Sequence, residues 1–120
     1  ISIQQPWAWL IVSGQGGKDV ENRSRWHYKH RGRVRIHASK TVDGDTSRFP
    51  VQWAHIASLG IEIPANLPTG AIVGEATITG TVTESDSPWF EGATGILLSD
   101  PIAYADPIPC RGMLGIFQTA

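Results

Sequence analysis

A lysine at the end of a glycine turn, a carboxylate three residues on and an arginine two beyond that bring three kinds of polar chemistry together in Gly17-Lys18-Asp19-Val20-Glu21-Asn22-Arg23. Alternate residues of a strand share a face, so Glu21 and Arg23 are expected to point together, with Lys18 at the mouth of the turn before them. Lys18 can hold a phosphate as a point charge or, if desolvated enough to lose its proton, serve as a base or nucleophile. Glu21 can accept hydrogen bonds from the amino group of a base such as cytosine, or fix Lys18 or Arg23 in an ion pair. Arg23 suits a bidentate grip on phosphate. Trp7 and Trp26 offer stacking surfaces for an unpaired base, and of the two Trp7 also reads as a core residue. Gln5, His37, Ser39 and Arg111 complete the candidate ligand-binding set, and Lys18 with Glu21 is the acid–base pair if the chain is an enzyme. His27 and His30 lie in a cationic segment without nearby thiols, so neither a metal site nor a cofactor is expected.

Charge places this cluster in the basic part of the chain. The total is -1, yet residues 1–60 hold nine lysines and arginines against four carboxylates, while residues 61–120 hold Arg111 against seven. A basic patch on a near-neutral protein fits a phosphate-bearing partner, bound through local cations and counterion release. A solvated strand face is the plainer alternative.

Strands are expected to carry these residues. Residues 1–4 read as a strand and Gln5-Pro6 as the start of a helix, with Trp7, Leu10 and Ile11 as its inward stripe and Gly14 as its stop. Arg33 to Ser39 alternates, Val34, Ile36 and Ala38 on one side and the basic residues with His37 on the other. Phe49, Trp53 and Ile56 mark a second helix, begun near Pro50 and closed by Gly60. Alternation returns from Ala71 to Thr83, and glycines on its apolar side imply a bend or a close backbone approach. Two further strands are expected near Gly95–Ser99 and Met113–Thr119, divided by a proline-rich connection from Pro101 to Pro109. The result is a mainly β fold with two or three short helices, a compact barrel forming a single domain over residues 1–120.

At 120 residues the chain can build one core. It has no apolar run of bilayer length and no secretory signal at its start, and Cys110 stands alone, so a soluble cytoplasmic protein is expected, with no membrane partner. Because position 1 is isoleucine, some residues are expected to precede it.

Five segments in order carry a family resemblance. Ser2-Ile3-Gln4-Gln5-Pro6-Trp7-Ala8, Gly17-Lys18-x-x-Glu21-x-Arg23-Ser24, Arg31-Gly32-Arg33 through Ile36-His37-Ala38-Ser39, Leu98-Ser99-Asp100-Pro101 and Pro109-Cys110-Arg111-Gly112-x-x-Gly115 resemble the ASCH domain, named for activating signal cointegrator homology. The resemblance implies a PUA-like pseudo-barrel with a cleft beside the first helix, and RNA or a nucleotide as partner, single-stranded or carrying a modified base. One branch that it brings in view is amidohydrolases acting on acylated cytidine through a lysine, a threonine three residues later and a separate glutamate. Lys18 matches that lysine, but Glu21 stands where the threonine would be. A second branch is metal-dependent ribonucleases using lysine, tyrosine and serine, for which Tyr28, Ser39 and Ser99 are available only in kind. RNA or nucleotide binding is the leading expectation. Hydrolysis of RNA or of an N4-acylcytidine, and a protein-interaction module without a nucleic-acid ligand, stand as alternatives, and catalysis is left open.

Overall fold

A computed structural model describes residues 1–24 and 29–111 of the chain. β1 (Ser2–Gln5) leads through Pro6 into α1 (Trp7–Ser13), and a single 3-10 turn (Gln15–Gly17) precedes β2 (Val20–Arg23). Then follow β3 (Gly32–Val42), α2 (Pro50–Leu59), β4 (Ala71–Val82) and β5 (Thr94–Pro109). The five strands form one sheet in the order β1-β3-β4-β5-β2, antiparallel except for β1 beside β3.

That order makes β1 and β2 the two edges of the sheet, yet the Arg23 guanidinium on β2 donates to the Ser2 carbonyl on β1 at 3.1 Å. The sheet has therefore curled until its edges approach one another, giving the half-barrel expected of a PUA-like fold. Strand twist favours such curling, and glycine makes room for it. A Cβ on Gly74, where β4 shifts register, would meet Val12 of α1 at 2.7 Å and collide with the β5 backbone. Only glycine lets α1 lie this close to the sheet.

The helix boundaries follow from local chemistry. Gly14 and Gly60 both adopt the left-handed conformation, at φ of 73° and 66°, and end α1 and α2. Pro50 opens α2 at its first turn, where a missing N–H costs nothing, whereas Pro6 is the residue before α1 rather than inside it. Trp7, Leu10 and Ile11 are all buried as the stripe requires, and Ala8 and Val12 are buried with them, because α1 is covered on more than one side. They pack with Ile3, Ile36, Ala38, Ala76 and Ile78 from the sheet in one core. None of the described helices is long and apolar enough to cross a membrane.

Two expectations differ from what is found. Pro101 to Pro109 does not interrupt a strand, since β5 runs through it for a total of 16 residues. Beyond Leu97 β2 no longer pairs with this strand and the pairing with β4 shifts register, and such edge-like, irregular stretches are where strands admit proline. His37 does not face solvent with the arginines. A register shift between Ile36 and His37 turns it inward to 2% exposure, where it bonds to the Ser2 hydroxyl and donates through Nε2 to the Cys110 carbonyl. The strand expected at Met113–Thr119 lies outside the described residues.

Candidate functional site

The seam between the two edge strands is an open cleft of about 390 Å³. Ser2 and Gln4 of β1 form one lip and Glu21 and Arg23 of β2 the other, and Ser39 and Thr41 of β3, the strand next to β1, also line the cleft. Trp7 enters from α1, and Arg48, Phe49 and Gln52 enter from the start of α2. A volume of this order is in the range of small-molecule sites.

Glu21 and Arg23 meet here as strand alternation requires, in an ion pair of 3.2 Å. Their side chains are 11% and 25% exposed, so the carboxylate is largely desolvated while the guanidinium still reaches water. Arg48, with about half of its side chain exposed, holds Gln4 at 3.1 Å and lies over the Phe49 ring. Trp7 packs edge-on against Phe49 in the cleft and against Trp53 behind it, at interplanar angles of 83° and 63° and ring centroids 5.7 and 5.2 Å apart. The Trp7 indole N–H donates to the buried Asp43 carboxylate at 3.0 Å, which fixes the ring in its plane.

Lys18 is close to this cleft but does not line it. Its ammonium is buried between the rings of Trp7 and Trp89, 5.3 and 5.4 Å from their centroids, and donates to the Val20 carbonyl at 2.7 Å and to Gln52 Oε1 at 2.5 Å. Burial lowers its pKa from 10.5 to about 8, against the opposing pull of Glu21, Asp19 and Glu91. Gln52 and Trp7 stand between this ammonium and the cleft, each touching both.

The remaining candidates separate in space. Ser39 lines the cleft. Gln5 faces a second hollow beside Trp53 and Leu67, its amide engaged by the Pro68 carbonyl and the Trp9 N–H. His37 is buried as described, and Arg111 is exposed at the far end of β5, outside the cleft lining. Trp26, with Arg25, His27 and Tyr28, lies outside the described residues. Among the described residues there is no cluster of three or more histidine, cysteine or acidic side chains able to hold a metal.

Gln52, Arg48 and Phe49 escaped the sequence reading as site residues. The signal for Gln52 was present, because it lies three residues after Phe49 and four before Ile56 and so shares their inward stripe, but glutamine normally marks a solvated face. Its place is set from afar: the Glu91 carboxylate accepts the backbone N–H groups of Val51 and Gln52 at 3.0 and 2.9 Å, capping α2, and the Asn22 side chain on β2 accepts the Glu91 N–H.

With this geometry in place, the profile of the ASCH domain family matches residues 1–99. The chain belongs to the ASCH domain family. It is 36% identical over 76 residues to human Activating signal cointegrator 1 and 34% identical over the same length to the mouse protein, a match covering 62% of this chain and 13% of each relative. The ASCH domain here thus corresponds to a small part of those proteins. A crystal structure of a ZmASCH mutant from Zymomonas mobilis superposes with a TM-score of 0.50 at 23% identity, covering 90% of this chain and 72% of the other. That likeness is one of fold, and it agrees with the PUA-like half-barrel.

Proposed function

We propose that this ASCH domain binds an unpaired nucleobase of RNA, or a free nucleotide, in the seam between β1 and β2. The observation that carries the reading is the combination within one cleft of a largely desolvated carboxylate, Glu21, two cations, Arg23 and Arg48, and an aromatic wall, Phe49 with Trp7. A flat base uses all three: stacking or edge contact on the rings, hydrogen bonds to the carboxylate, and a phosphate at the guanidinium groups. Arg48 is the better phosphate contact, because its side chain is 51% exposed against 25% for Arg23, although it too meets a carboxylate, that of Asp43 at 3.7 Å. The stacking role expected of Trp26 is additional to this wall and lies outside the described residues.

Binding also accounts for the cleft better than hydrolysis does. A lysine base would have to reach the ligand, and the Lys18 ammonium is 4% exposed and committed to Val20 and Gln52.

Titration calorimetry with the four ribonucleoside 5′-monophosphates and with a short single-stranded RNA tests the reading. Binding is expected to weaken with salt, by about 0.7 in the log–log slope for each phosphate contacted. Absence of any nucleotide or RNA binding at low salt overturns it and favours a protein-interaction module.

A further inference from the structure

Gln52 is 1% exposed and yet lines the cleft. Its Oε1 accepts the Lys18 ammonium at 2.5 Å, and an ammonium has only hydrogens to offer, so the oxygen must face inward. The amide nitrogen is thereby turned to the other side. Among the described residues Nε2 has no hydrogen-bond partner, yet it is not one of the atoms sealed from solvent, and the cleft is the space that Gln52 borders. A donor already held in one orientation at the cleft wall meets a ligand's acceptor without the ordering cost that a free side chain would bear.

We propose that Gln52 is the specificity-determining residue of the cleft. Lys18 holds its amide in one orientation, so that the Nε2 donor and the Glu21 acceptor together read a nucleobase edge that carries an acceptor beside an N–H donor. The inference rests on the nucleotide-binding reading above and deepens it. Lys18 is then a positioning residue that acts through Gln52 without touching the ligand. The ligand class is an unpaired, unsubstituted base, because pairing or alkylation removes the edge. The arrangement also explains why a lysine is buried between two tryptophans: a neutral residue there would leave the amide free to turn over.

The test compares affinities for CMP, UMP, AMP and GMP across wild type, Gln52→Ala, Gln52→Glu and Lys18→Met by calorimetry. Ratios between nucleotides are the readout, since they do not depend on what fraction of a variant is folded. Gln52→Ala is expected to weaken the best-bound nucleotide by about tenfold and to compress the spread among the four. Gln52→Glu keeps an oxygen toward Lys18 but turns a second acceptor outward, so GMP, with two N–H donors side by side on its edge, should gain about tenfold relative to the other three. Lys18→Met should compress the spread while leaving the affinity for ribose 5-phosphate unchanged, which a general loss of structure would not do. If Gln52→Ala and Gln52→Glu both keep the wild-type order and spread, Gln52 is not the reader, and nucleotide binding stands without it. If wild type binds none of the four, nor RNA, the reading beneath fails and this inference with it.

Discussion

Raising the pH should make this protein more stable relative to a variant without Lys18. The native pKa of Lys18 is lowered by burial to about 8, against 10.5 in the unfolded chain. Below pH 8 both states hold the proton and the native state bears the cost of a buried ammonium. Between pH 8 and 10.5 the unfolded chain keeps its proton while the native chain gives it up, so the unfolded state binds more protons and stability rises with pH. The full interval corresponds to about 3 kcal/mol, of which about 1 kcal/mol is reached at pH 9 and about 2 to 3 kcal/mol at pH 10. Urea unfolding of wild type and of Lys18→Met at pH 7, 8, 9 and 10 isolates this contribution, because other titrating groups are common to both proteins and cancel in the difference. The unfolding free energy of wild type minus that of the variant should climb over this range. A flat or falling difference would show that burial does not lower the Lys18 pKa.

Other perturbations probe the parts separately. Glu91→Ala removes the acceptor for the first N–H groups of α2 and should cost about 1 kcal/mol in thermal or urea unfolding, with nucleotide affinity falling as Gln52 loses its anchorage. Gly74→Ala places a methyl group against Val12 and the β5 backbone and should cost about 3 kcal/mol or more, enough to be seen as lost expression or a markedly lower melting temperature. Arg48→Ala should weaken RNA binding while lowering the salt slope by about 0.7, and an unchanged slope would exclude a phosphate at that guanidinium. Trp7→Phe keeps a ring but leaves Asp43 without its indole donor, and a loss of about 1 to 3 kcal/mol in unfolding is expected.

Much of the architecture was legible in the residue order alone. Pro50, Gly14 and Gly60 mark helix ends because their backbone preferences are local properties, and the alternation in β3 and β4 shows a buried face because the strand repeat is two. The five family segments belong to the same category, as does the pairing of Glu21 with Arg23, which needs nothing beyond two residues of one strand. Tertiary structure decided what no local rule contains. A register shift, which depends on the partner strand, carries His37 into the interior. Charge separation along the chain does not survive folding intact either, because β3 lies against β4 and Arg33 meets Glu75 from the acidic half at 3.4 Å. Only the curling of the sheet, which brings its first and last strands to either side of one seam, places Lys18 behind the cleft, Gln52 at its wall and a glutamate from distant sequence at the head of α2. Burial and hydrogen-bond partners are properties of the assembled chain, so a glutamine that reads as a solvated residue acquires its meaning from the ammonium packed behind it.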